Sequence, residues 1–179
     1  VNLASRLLRR FLARAPHAAE TATEIDRRFM LRALELARHA ATLGEVPVGA
    51  VVYRTATGEP LAEAFNQRER LADPSAHAEF TAILHACRNI GDWRLNDCTC
   101  VVTLEPCPMC AGLLVNARVG RLVYAAHDPK AGAVRSLFAL ADDPRLNHRV
   151  RIVAGLHADD ASTLLRDFFR DLRRRNAQT

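Results

Sequence analysis

The chain has no uninterrupted apolar run approaching the roughly 20 residues of a membrane-spanning helix, so no membrane partner is expected. A secretory apolar segment is also missing. Cysteine is scarce and odd in number. Five residues cannot form the even disulfide framework of a small secreted scaffold, so a reducing compartment and a cytoplasmic location are expected. Internal repeats, low-complexity tracts and linkers are absent, which leaves repeat architectures and multi-domain arrays without support. Acids are absent from residues 1–19, which hold Arg6, Arg9, Arg10 and Arg14.

What remains is the composition of a soluble globular protein, 49% hydrophobic and 25% charged. Its 179 residues favour one domain with a sizeable core. The net charge of +5 is unevenly placed. Residues 1–19 carry +4 and residues 150–179 carry +2, leaving the middle at −1. Basic ends around a near-neutral body suit a polyanionic partner, although so small a surplus also occurs on plain enzymes. In the first segment Leu3, Leu7, Leu8, Phe11 and Leu12 share a face and Pro16 stops it. Two readings stand: an extra basic helix, or an Arg-rich organelle transit peptide. The expected division is a basic extension over 1–23 and a single domain over 24–179.

Periodicity predicts a helix over 24–43, capped by Thr21 or Thr23 and ended by Gly44. Strands follow at 46–53 and 60–65, then a polar loop from Gln67 to Pro74. Asp73 or Ser75 is placed to cap the next helix, which runs to about Asn89. A strand is predicted at 99–104, where Cys100-Val101-Val102 implies burial on both faces. A helix from Pro108 to about Asn116, a strand over 119–126 and a loop over 127–147 with a helical piece near Leu137 come next. A short strand at 149–154 and a helix over 159–175 complete a layered α/β pattern.

The chemistry concentrates in two stretches. Ser75-Ala76-His77-Ala78-Glu79 gives a His and a Glu two residues apart, and Pro106-Cys107-Pro108-Met109-Cys110 gives a Cys pair three apart. A catalytic zinc takes three protein ligands and keeps one position open. His77, Cys107 and Cys110 supply the three, and Glu79 is left over as a proton carrier beside the metal. A lone Cys-x-x-Cys is ordinarily half of a structural zinc site or a redox pair. Here no second pair exists for a four-thiolate site, and both stretches open predicted helices, whose dipoles favour thiolate. Glu79 needs its usual pKa of about 4.3 raised before it can act as a base, which burial by substrate would do. Cys87, Cys98 and Cys100 read as small buried hydrophobes. His17, His39, His85, His127, His148 and His157 have no evident partner, and His39 and His85 fall on helix surfaces. On the last helix Leu165, Phe168, Phe169 and Leu172 form a packing stripe. Arg166, Arg170, Arg173 and Arg174 lie beside it, as a solvated face or as contacts for a phosphate backbone.

The His-x-Glu and Pro-Cys-x-x-Cys pair is the known signature of zinc nucleobase deaminases. At Thr103-Leu104-Glu105-Pro106-Cys107-Pro108-Met109-Cys110-Ala111-Gly112 the chain resembles the bacterial tRNA-specific adenosine deaminases. The likeness extends through residues 45–51, Asn66, Asp73-Pro74, Trp93-Arg94-Leu95, residues 128–133, Ser136-Leu137, residues 147–150 and residues 167–170. It covers roughly residues 24 to 175. The resemblance implies a three-layer α/β/α cytidine deaminase-like fold with a central mixed five-stranded sheet. It implies one zinc per subunit, a homodimer, and the anticodon stem-loop of tRNA as partner, with the wobble adenosine converted to inosine. Asn66, Val46, Val48 and Ala78 are then expected at the flipped base, and Asp128 and Lys130 on the rim. Phe169, Arg170, Arg173 and Arg174 are expected on the RNA side. Asp128 is either a turn cap or an acceptor for a 2′-hydroxyl, the group that separates RNA from DNA. The chain departs from the pattern at its extra 19 residues and at Arg68, Leu113 and Arg135. The zinc motif alone also fits a free-base or nucleotide deaminase, or a non-catalytic zinc module; Glu79 argues against the last.

Overall fold

In the computed structural model, residues 20–177 are described. Among the described residues, five helices and five strands follow one another as α1 (Glu24–Thr42), β1 (Gly49–Arg54), β2 (Pro60–Phe65), α2 (Arg68–Leu71), α3 (Ala78–Ile90), β3 (Cys98–Leu104), α4 (Pro108–Asn116), β4 (Arg121–Ala126), β5 (Arg151–Ala154) and α5 (Ala158–Asn176). The strands form one sheet in the order β2-β1-β3-β4-β5. β1 pairs antiparallel with β2 and β3, while β3, β4 and β5 run parallel, so the sheet is mixed and five-stranded as expected.

Side chains alternate across a strand, and the two faces of this sheet carry two cores. Ala50, Val52, Cys100, Val102, Leu122 and Tyr124 face α3 and α4, meeting Ala82, Ile83, Ala86, Ala111 and Leu114. Val51, Tyr53, Val101, Val123 and Ala125 face the other way, toward Phe29, Met30, Ala33 and Leu34 of α1 and Ala161 of α5. The result is three layers, helix on sheet on helix. The approach of α1 is close enough to demand glycine at the start of β1. A Cβ on Gly49 would stand 2.1 Å from the Ala33 carbonyl oxygen.

Several boundaries differ from the sequence reading. Val46–Val48 precede the strand, and the Val48 N–H closes a tight turn onto the Val46 carbonyl at 2.8 Å. The stretch expected as a loop after Asn66 contains the one-turn helix α2. His77, not Asp73 or Ser75, stands at the N-cap position of α3, and no side chain makes a capping hydrogen bond there. Asp73 instead accepts from the Ser75 N–H at 2.8 Å and its hydroxyl at 2.7 Å. No helix forms near Leu137, where the chain runs through turns. Phe169 lies 39% exposed and does not join the packing stripe that buries Phe168. The readings for residues 1–19, and for His17 within them, lie outside the described residues.

At the end of the sheet where β3 and β4 begin, a buried ion pair fixes α1. Thr23 and Asp26 form a reciprocal cap on that helix. Asp26 is fully buried and takes Arg121 through two contacts, Nη1 to Oδ1 at 2.6 Å and Nη2 to Oδ2 at 2.8 Å. The Tyr53 hydroxyl donates to the same carboxylate. Burial alone pushes Asp26 up, but Arg121, Tyr53 and Thr23 outweigh it and hold the carboxyl below its ordinary value. Residues 20–23, assigned above to the extension, are tied in as well. Glu20 accepts from Arg121 Nε at 2.7 Å and Arg151 Nη1 at 2.9 Å. Removing one partner of a buried pair leaves an uncompensated charge, which costs about 3–5 kcal/mol. Asp26→Asn is therefore expected to lower the urea-derived stability by about that amount. Its effect should shrink in acid, because the depressed pKa means the stability is lost as Asp26 protonates. A variant with the wild-type urea midpoint would show that the pair contributes nothing.

Candidate metal centre and active site

The parallel strands end where two helices begin. β3 runs out at Leu104, and Glu105-Pro106 lead to Cys107, the N-cap of α4. Pro108 occupies the first turn of α4, where its missing N–H costs nothing. His77 is the N-cap of α3 with extended backbone, so its ring projects from the helix start and Glu79 follows in the first turn. His77 Nδ1 stands 3.7 Å from Cys107 Sγ and 3.6 Å from Cys110 Sγ, and the three ligating atoms all lie within 4.8 Å of one another. A tetrahedron with zinc–ligand bonds of about 2.0–2.3 Å has edges of about 3.5–3.8 Å, so the two measured distances match a tetrahedral zinc. The donor set also fits. Cys110 donates to Cys107, which holds Cys107 down at about 4 despite burial, with His77 assisting. Cys110 is pushed up by the same bond and by burial. Two thiols and one imidazole are the soft donor set that zinc takes, with the thiols binding as thiolates.

Glu79 is 4% exposed. Burial raises its carboxyl above the ordinary value, against the smaller opposing effects of its hydrogen bond to Cys110 and its own backbone amide. The protein itself therefore supplies the desolvation expected of the substrate. Cys100 lies buried on β3, its thiol pushed up by burial and by the Glu79 charge, and Cys98 is raised to about 12 by burial and Asp97. Both are core residues, and Cys87 is half-buried against the same core.

A cavity of about 210 Å³ opens over these groups, lined by Val46, Val48, Asn66, Ala78, His77 and Glu79, with Arg68, Leu104, Glu105, Cys107, Asp128 and Ala131. It is small beside the roughly 300–1,000 Å³ of ordinary ligand pockets. Val46, Leu104 and Asp128 also form one wall of a larger cleft of about 790 Å³. That cleft is completed by His127, Pro129, Lys130, Leu165, Arg166, Asp167, Phe169, Arg170 and Arg173. All four residues expected at the base line the first cavity; Lys130, Phe169, Arg170 and Arg173 line the second. Arg174 lies outside both linings, 3.9 Å from Asp171. Arg170 is paired with Asp167 at 2.7 Å, an exposed contact that competes weakly with other anions. Asp128 caps a turn, its Oδ1 accepting from the Lys130 N–H at 2.9 Å and the Ala131 N–H at 3.2 Å, and its side chain borders both spaces.

Two acids that the sequence reading placed in the family-like stretches were given no role there. Glu45 is buried and accepts Asn66 Nδ2 at 3.0 Å and the Arg70 N–H at 2.6 Å, which orients the Asn66 amide and seats α2. Glu105 is also buried and gathers donors from the loop after β4. Their position at the ends of apolar runs was the available signal, since acids are rarely buried without partners. The departures have definite places too. Arg68 lines the smaller cavity, Arg135 forms a two-pronged bond to Asp142 at 2.9 Å on each prong, and Leu113 packs against the core. His127 and His148 have partners after all: His127 Nδ1 lies 3.2 Å from the Tyr124 hydroxyl, and His148 Nε2 lies 2.8 Å from the Val119 carbonyl.

The fold and the metal-ligating trio define a zinc-dependent deaminase. Residues 23–126 match the cytidine and deoxycytidylate deaminase zinc-binding region. Within that class the chain belongs to the tRNA-specific adenosine deaminase family. It is 43% identical to the tRNA-specific adenosine deaminase of Bacillus subtilis over 84% of this chain and 92% of that one. It is 42% identical to the tRNA-specific adenosine deaminase of Haemophilus influenzae over 87% and 90%. A solved structure from work on A-to-I editing by tRNA:A34 deaminases superposes with a TM-score of 0.73 at 40% identity, covering 77% of this chain and 99% of that one. A guanine deaminase from Nitrosomonas europaea superposes at 0.67 with 25% identity over 93% of each chain.

Replacing Cys107 or Cys110 with Ser is expected to bring zinc content, measured by elemental analysis, toward zero. The melting temperature should fall with it, because the metal joins two helix starts. Full zinc content in either variant would place the metal elsewhere.

Proposed function

We infer that this chain hydrolyses adenosine to inosine at the wobble position of tRNA, working on the anticodon stem-loop as a homodimer in the cytoplasm. The observation that carries the reading is the shared wall between the two spaces. A small cavity takes one base beside Glu79, and the cleft alongside offers Lys130, Arg166, Arg170 and Arg173 to a phosphate backbone. A free base has no use for the second space; a flipped nucleotide in a polymer needs both.

His77 Nδ1, Cys107 Sγ and Cys110 Sγ would hold the zinc. When bound, it supplies Lewis acidity that brings the pKa of a water from 15.7 to about 7. The chain's own residues do the rest. Asn66, Val46, Val48 and Ala78 hold the base in place, with the Asn66 amide set by Glu45. Water adds its oxygen to C6 of the adenine. Glu79 takes the first proton of the water and delivers it to N1, then takes the remaining hydroxyl proton from the new C6–OH and passes it to the departing 6-amino group. A C6–O bond forms, the C6–N bond breaks, and ammonia leaves. The carboxyl of Glu79, raised above its ordinary value by burial, suits both duties, because it holds a proton more readily than an exposed carboxylate does.

Glu79→Ala is expected to keep zinc and RNA affinity while turnover falls by ~10²–10⁴-fold. Near-normal ammonia release would remove Glu79 from the mechanism. Substrate class is tested by comparing ammonia release from an anticodon hairpin with release from guanine, cytosine and dCMP. The hairpin should win; preference for a free base would overturn the RNA reading. Changing Arg170 and Arg173 to Gln should flatten the salt dependence of hairpin binding, by about 0.7–0.9 in log–log slope per lost phosphate contact. An unaltered slope would assign both to solvent.

A further inference from the structure

The loop over residues 127–136 carries Asp128 and Ala131 to the base cavity and Lys130 to the cleft, yet it contains no helix or strand. Its shape depends on one side chain. Glu105, 2% exposed, lies at the end of β3 two residues before Cys107. Its Oε1 accepts the backbone N–H groups of Val134 at 3.1 Å, Arg135 at 2.7 Å and Ser136 at 2.9 Å. Its Oε2 accepts the Asp128 N–H at 3.1 Å and the Ser136 hydroxyl, and His127 Nδ1 lies 3.3 Å away. A carboxylate has about four acceptor sites, and these donors use them all. The loop closes over the carboxylate so tightly that a Cβ on Gly132 would stand 2.5 Å from Glu105 Cδ. Next along the chain, the Ala133 N–H donates to the Pro106 carbonyl at 2.8 Å, so the loop grips the turn that leads to Cys107 as well.

We propose that Glu105 is a positioning residue that binds the substrate rim to the metal-bearing turn. It sets how firmly the nucleotides around the flipped base are held. Glu105 borders the base cavity, but its carboxylate oxygens are taken up by the loop, so it acts through the loop and not on the reacting atoms. An apolar or neutral side chain cannot replace it. Glutamine of the same shape offers one acceptor oxygen and turns an NH₂ group toward donors that have lost their partner.

This inference rests on the RNA reading, and its test separates the two. Glu105→Gln is compared with wild type for zinc content, amide hydrogen exchange and steady-state kinetics on the anticodon hairpin. Zinc should stay at the wild-type level. The amides of Asp128, Val134, Arg135 and Ser136 should exchange at least about tenfold faster. KM for the hairpin should rise by about tenfold or more, with kcat changed by less than about threefold. Ser136→Ala, which removes one donor and keeps the carboxylate, should move exchange and KM in the same direction by less. It serves as the readout if Glu105→Gln fails to fold. Wild-type exchange rates at those four amides in both variants would overturn the proposal. So would loss of zinc and kcat at unchanged KM, which would make Glu105 a support of the metal turn alone. If wild type leaves the hairpin untouched, the RNA reading fails, and the exchange result still decides whether Glu105 holds the loop.

Discussion

The structure depends on bringing one imidazole nitrogen and two sulfurs to the edge lengths of a small tetrahedron. The three atoms come from positions up to 33 residues apart, on the starts of two different helices. That meeting is possible because α3 and α4 pack side by side on one face of the sheet and both begin at the end where the parallel strands stop. The β3–α4–β4 crossover places Cys107 and Cys110 there, and the parallel register sets Leu104 beside Ala126. Ligand sites of open α/β sheets lie outside the carboxyl ends of the strands for the same reason. The far end of the sheet is closed by Arg121 and Asp26, which fix the helix that backs the opposite face.

Three of the buried acids, Asp26, Glu79 and Glu105, divide into two kinds, and the division assigns their roles. Asp26 and Glu105 are desolvated, yet each is met by enough donors to stay ionised, Glu105 at about 2. Such groups cannot move protons near neutrality and serve as fixed anchors. Glu79 is also desolvated, but its compensating bonds are weaker than its burial, so its carboxyl is raised. Opposite shifts on acids in one small site mark the acid that does chemistry and the acid that holds the scaffold.

Local signals were legible in the sequence, and long-range ones were not. The bounds of α4 follow from Pro108 and the Cys-x-x-Cys, and α1 from Thr23 and Gly44, because caps and breakers act within one turn. The metal trio was legible because each ligand stands in a short motif. The helix Arg68–Leu71 was hidden, because Gln67 to Pro74 is mostly polar, with no apolar periodicity, and Glu45, more than twenty residues away, supplies the acceptor for its first amides. The helical piece expected near Leu137 gave way to turns because Glu105 claims the amides that would have started it. Phe169 reads as core from its spacing, yet the cleft leaves its ring on the surface beside Lys130 and Arg173. In each case the missing information was a partner distant in the chain.

Hydrolysis of one adenosine inside an RNA is the central claim. Its most direct test is to incubate an anticodon hairpin with the zinc-loaded protein in oxygen-labelled water and digest the product for mass spectrometry. Inosine should appear only at the wobble position and carry the solvent label. Unchanged adenosine there, or inosine without label, would contradict it.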